Sequence, residues 1–268
     1  MSIYKDYDIE DILLNLPCEI DGINIYPVKV IEWKKFQKYA PYLIMSREHY
    51  KLTEEQPFIK TIVANMVSVY NNNQYPQEDF LKVQLINAVL KDFCDLLSMV
   101  TKEQIIYEES KELGCCFVNH DKNIIIHEGN FDVIRQIICK QNILHEPIIY
   151  KSKLKEKWAK SVARGRAKNS KSLSLAEIIS IVREGLKISY DEINKLNIFQ
   201  LYVDYYRLDN TKTFDTITLL KTTYGIDWSE LPNINYTDPV IDKLIRNPEL
   251  DYFKDFDMGD IVEAMENK

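Results

Sequence analysis

Apolar positions along this chain switch between helical and strand spacing, and each switch marks an element. Residues 1–16 carry a mixed apolar and acidic pattern that fits a short amphipathic helix or a loose arm. Next, Glu19-Ile20 and Asn24-Ile25-Tyr26 flank Asp21-Gly22, a pair that turns two strands into a hairpin because both residues tolerate positive φ. Pro27 has no N–H for a ladder, so it ends or edges the second strand. Residues 31–45 read as a helix interrupted by Pro41. Phe58, Ile62, Met66 and Val69 form one stripe of a helix over 58–70, and after the polar loop 71–76 residues 77–100 read as a second core helix.

The period then changes. Cys115–Val118 and Asn123–His127 read as two strands around the loop Asn119–Lys122. Gly129-Asn130 breaks the second strand, Phe131, Ile134, Ile137 and Ile138 mark a helix, and Pro147 ends that region. Further on, Ser174 with Glu177, Ser189 with Glu192, and Asn197 with Gln200 have capping-box spacing. Gly185 fits a C-terminal cap of the first of these helices. The pattern predicts three short helices packed on one another, burying Leu175, Ile178, Ile179, Val182, Ile193, Leu201 and Tyr205.

After Tyr224-Gly225 the texture changes again. Residues 226–268 hold eleven acidic and four basic residues, with Pro232, Pro239 and Pro248. This predicts an extended acidic arm with one or two short amphipathic helices, the last around Ile261–Met265. Trp228, Tyr252, Phe253 and Phe256 are its candidate docking anchors. The expected fold is α+β and mainly α-helical: a helical core with two short β-hairpins and the acidic C-terminal arm. The expected division is an N-terminal arm 1–17, an α+β region 18–150, a basic linker or helix 151–171, a helical region 172–225 and the arm 226–268.

Composition narrows the class. Hydrophobic residues make up 46% and charged residues 28%, as in ordinary globular chains, so wholesale disorder and collagen-like repeats are excluded. Seven glycines argue against glycine-lined phosphate loops. The net charge of -7 hides an asymmetry: residues 151–171 hold nine Lys/Arg and one Glu. Lys153, Lys155, Lys157, Lys160, Arg164, Arg166 and Lys168, with Trp158, are therefore candidate contacts to a polyanion or an acidic partner. Alternatively the segment is a solvated basic helix that pairs with the acidic remainder. Five cysteines with no CxxC spacing read as reduced thiols. The acidic start lacks the features of a signal peptide, and no apolar run of about 18 residues predicts a membrane span.

Chemistry is harder to find. His120 falls in a loop and His127 toward the far end of a strand, too far apart to share a metal, and His127 opposite Cys115 would give two ligands, short of a zinc site. No GxSxG, HExxH, Walker or GxGxxG motif occurs. The sequence nominates no catalytic residue, metal site or cofactor, and the expectation is a protein that is not an enzyme. The helices over 190–208 carry at least as many acids as bases, which argues against sequence-reading DNA recognition.

Four stretches taken in order carry a resemblance: CEIDGINIYPVKVIEWKKF (18–36), NIIIHEGNFDVIRQIICKQN (123–142), KLKEKWAKSVARGRAKNSKS (153–172) and LSLAEIISIVREGLKISYDEINKLNIFQLYVDYYRL (173–208). Over residues 18–210 the chain resembles tail-module, tail assembly chaperone-like proteins of phages and prophages of low-GC Gram-positive bacteria. The resemblance implies a non-enzymatic role in virion assembly through contacts with the tape measure protein, the tail tube or copies of itself. It implies a location in the host bacterial cytoplasm, or in the virion for a structural tail or baseplate component. The other expectation is a cytoplasmic nucleic-acid-binding accessory protein that uses residues 151–171.

Overall fold

The computed structural model describes residues 8–44, 79–146, 148, 150, 152–169, 173–224 and 237–247. It begins with α1 (Ile9–Leu13), where Asp8 and Asp11 cap each other's backbone N–H groups and Ile12 turns inward. Strands β1 (Cys18–Ile20) and β2 (Ile23–Ile25) pair antiparallel in the register Cys18 to Ile25. Asp21 and Gly22 both sit at positive φ, 51° and 77°, as the two-residue turn requires. Cys18, Ile20, Ile23 and Ile25 are buried while Glu19 and Asn24 face water. Tyr26 lies beyond the strand, and its N–H donates to the Val100 carbonyl at 2.8 Å.

The expected helix over 31–45 is three short pieces: a 3-10 turn Val30–Glu32, α2 (Trp33–Phe36) and α3 (Ala40–Leu43). Pro41 occupies the first turn of α3, where its missing N–H has no helical partner to lose, so it starts a helix and does not interrupt one. The stripe over 58–70, the loop 71–76 and Pro147 lie outside the described residues. Helix α4 (Asp79–Thr101) follows the predicted span and buries Val89, Phe93, Leu96, Leu97 and Val100.

Where the sequence shows one hairpin, the structure has a three-stranded antiparallel meander: β3 (Ile106–Ser110), β4 (Gly114–Asn119) and β5 (Ile124–His127). His127 stands opposite Cys116, one position from the expected Cys115. Helix α5 (Phe131–Gln141) brings Phe131 into an aromatic core, with ring centroids 5.6 Å from Phe93 and 6.3 Å from Phe117. Two buried amides tie its end to the first hairpin region. The Gln141 side chain donates to the Ile25 carbonyl at 2.9 Å, and the Val28 N–H donates to Asn142 Oδ1 at 3.2 Å. Buried Arg135 donates to the Leu43 carbonyl at 2.7 Å and to Asp132 at 3.0 Å, and also pairs with Glu146.

The remaining helices are α6 (Lys153–Asn169), α7 (Leu175–Leu186), α8 (Tyr190–Lys195), α9 (Ile198–Tyr224) and α10 (Ile241–Ile245). The fold is thus mainly helical α+β, with two small antiparallel sheets. The chain forms two units, Met1–Pro147 with Asn194–Phe199 and Ile148–Ile193 with Gln200–Lys268. In the first unit residues 194–199 return to the N-terminal part. The Val30 N–H donates to the Leu196 carbonyl, the Ile198 N–H donates to the Val28 carbonyl, and the fully buried Asn197 side chain donates to the Ile12 carbonyl at 2.8 Å.

In the second unit the capping boxes at Ser174–Glu177 and Ser189–Glu192 start α7 and α8 as the sequence predicts. Two expectations are corrected. Gly185 is not the cap: α7 runs one residue past it, and Lys187 takes the left-handed conformation that ends the helix (φ 58°). The third helix is not short, because α9 continues for 27 residues. Of the seven expected core residues, Ile178, Val182, Ile193 and Leu201 are buried, whereas Leu175, Ile179 and Tyr205 are half-buried.

Candidate functional site

The side-chain geometry of the second unit explains why α7 carries a glycine. A Cβ at Gly185 would lie 2.5 Å from Leu208 Cδ1 and 2.7 Å from Cδ2. A residue without a side chain leaves room on α7 for the Leu208 side chain of α9. Beside this contact lies a groove of about 650 Å³. Leu173, Ile181, Tyr205 and Leu208 supply its apolar lining, and Glu184, Lys187, Asp209 and Lys212 its charged groups. Leu173 and Ile181 stay 38% and 39% exposed, an open apolar surface among the described residues.

The charges around the groove are mostly balanced in place. Lys187 hydrogen-bonds and pairs with Glu184, which holds that carboxyl below its ordinary range. Burial and the neighbouring Asp209 charge raise the Tyr205 hydroxyl. Arg183 stacks over the Tyr190 ring, 4.9 Å from its centroid. Neither His nor Cys lines the groove, so Ser180, its hydroxyl residue, has no base of that kind beside it. An apolar floor with a charged rim is the make-up that protein interfaces share.

The basic residues named from the sequence fall on α6. Lys153, Lys155, Lys157, Lys160 and Arg164 are exposed, Trp158 is half-buried and Ala159 is buried. Lys160 pairs with Glu156 at 2.5 Å. Arg166 and Lys168 lie on the last turns of the same helix. The anchors Trp228, Tyr252, Phe253 and Phe256 lie outside the described residues, as does the stretch Ile261–Met265. What the structure describes of the arm, residues 237–247, buries Val240 and Leu244, and the Arg207 guanidinium donates to the Asp238 carbonyl at 3.0 Å. The short helix α10 is of the kind expected in the arm, whereas the groove was missed from sequence because it depends on which residues of α9 face a neighbour.

Elsewhere, burial pushes the thiols of Cys18 and Cys94 up to about 11 and that of Cys139 to about 12. Such thiols stay protonated at neutral pH and are weak nucleophiles. His120 meets Glu108 at 2.7 Å, whereas His127 Nδ1 accepts the Gly129 N–H at 3.0 Å. Among the described residues no group of three or more His, Cys, Asp or Glu is placed to hold a metal ion. No helix of the described residues is long and apolar enough to cross a membrane.

Comparison with known proteins adds a direction. Residues 167–235 match the family described as the YomV second domain. The chain is also 23% identical over 156 residues to the SPbeta prophage-derived uncharacterized protein YomV of Bacillus subtilis (strain 168). That alignment covers 56% of this chain and 60% of the relative's length. No solved structure matches. The family match contains every residue that lines the groove.

Proposed function

We propose that the chain is a phage-encoded, non-enzymatic protein that binds other proteins during virion assembly, acting as a tail assembly chaperone in the host bacterial cytoplasm. The observation that carries this reading is the family match itself. The stretch shared with a prophage-derived protein is the stretch that builds the α7–α9 groove. A groove with an uncovered apolar floor suits a protein ligand, and the tape measure protein, the tail tube or a second copy of the chain is its proposed occupant. Cys18, Cys94 and Cys139, held protonated by burial, are not ready nucleophiles.

Deleting the gene from the prophage that carries it, then inducing and imaging the lysate, tests the proposal. Heads without tails, restored by supplying the gene in trans, are expected. Normal tails would overturn it. Finding the chain in purified mature particles would make it a structural tail or baseplate component instead.

A further inference from the structure

Helix α6 places its cations in a line. At about 100° per residue, Lys153, Lys157, Lys160 and Arg164 fall within an arc of about 60° on one side of the helix. All four are exposed. They lie eleven residue steps apart end to end, so the ridge is about 16 Å long at about 1.5 Å per residue. Buried Ala159 and half-buried Val162 and Trp158 lie on the other side, which gives the helix a seat and leaves the ridge outward. Among the described residues, Lys153, Lys157 and Arg164 have no carboxylate partner, and Lys160 holds only Glu156 of its own helix.

We infer that this ridge is a sequence-independent contact to the phosphate backbone of duplex DNA, on a surface separate from the groove. Three observations select this ligand. The first is linear charge on a rigid rod. A duplex carries one phosphate per about 1.7 Å of axis counting both strands, a dense line of charge that a straight basic ridge complements. Secondly, the aromatic residue of the helix, Trp158, is half-buried and about 140° from Lys153, so it offers no platform on the ridge for the bases of a single strand. Thirdly, the ridge holds only Lys and Arg, the cations that neutralise phosphates. Outside residues 151–171 the chain has 25 basic and 40 acidic residues, so attraction to DNA is concentrated here.

Fluorescence anisotropy of a labelled random-sequence duplex, titrated with the full chain across a salt series, tests the inference. Four phosphate contacts give a slope of log Kobs against log salt of about -3.6, a loss of about a hundredfold between roughly 50 and 200 mM. The variant K153Q/K157Q/K160Q/R164Q should abolish that slope. The charge-matched control K34Q/K111Q/K122Q/K243Q, four exposed lysines outside α6, should keep it. Circular dichroism verifies that both variants retain wild-type helix content, and the wild-type slope stands as a test without either variant. A wild-type slope shallower than about -1 would overturn the inference, as would equal loss in the control. Tighter binding to single-stranded DNA, or equally tight binding to polyglutamate of matched charge, would overturn it too, the latter assigning the ridge to an acidic protein.

Discussion

Replacing Gly185 by Ala should destabilise the second unit, although alanine is the better helix former. The new Cβ would sit 2.5 and 2.7 Å from the two methyl carbons of Leu208 and 3.2 Å from its Cγ. Carbon atoms pack best at about 3.5–4.0 Å, so Leu208 or one of the helices must give by about 1 Å. Alanine in place of an interior glycine gains about 1 kcal/mol of helix propensity. Overpacking costs about 1–3 kcal/mol, which leaves a net loss of about 0–2 kcal/mol. The decisive assay is a double-mutant cycle with Leu208→Ala, followed by urea denaturation and far-UV circular dichroism. With the Leu208 methyls gone, Gly185→Ala should reverse sign and stabilise by up to about 1 kcal/mol. Stabilisation of equal size in both backgrounds would refute the packing of the Leu208 side chain on Gly185.

Other perturbations test the first unit. Phe117, fully buried between Phe93 and Phe131, should cost about 3–5 kcal/mol on truncation to Ala in guanidinium denaturation. Asn197→Ala should cost about 0.5–1.5 kcal/mol, because it removes a buried hydrogen bond to the Ile12 carbonyl, which keeps the Asn15 N–H. His120 is raised above its ordinary value by its hydrogen bond to Glu108 and by that carboxylate's charge. Its stabilising pair is therefore complete below about pH 6.5 and is lost as pH rises through the elevated value. An NMR titration should place the His120 midpoint above that of a model histidine, and Glu108→Gln should bring it back. An unshifted midpoint in the wild type would contradict the pair.

How much of this was legible in the sequence follows from the range of the interactions involved. The Asp21-Gly22 turn and the Ser174–Glu177 and Ser189–Glu192 boxes are chemistry within four residues, and they appear where their spacing puts them. Strand β3 was invisible because it is a sheet edge. Its residues are exposed or half-buried, so Tyr107, Glu108 and Glu109 show no apolar alternation, and it is held by pairing with β4. Gly185 illustrates the opposite error. A glycine near a helix end looks like a cap, yet Lys187 takes the left-handed turn and the glycine serves Leu208, 23 positions away in the chain. The basic segment was plain as charge, but its ridge emerges only once one unbroken helix fixes the phase of Lys153, Lys157, Lys160 and Arg164. The groove was not legible at all, since it requires knowing which faces of α7 and α9 meet.

The central claim is that the α7–α9 groove receives a tail protein. Isothermal titration of the purified chain against the purified tape measure protein of the same phage tests it most directly, with wild type and Ile181→Glu measured side by side. Ile181 lies on the groove's exposed apolar floor, so a carboxylate there should weaken binding by at least about tenfold, or about 1.4 kcal/mol. Binding by the wild type with that loss in the variant is the predicted result; equal binding by both, or no binding by the wild type to the tape measure protein or, in a parallel titration, to the tail tube protein, would contradict the account.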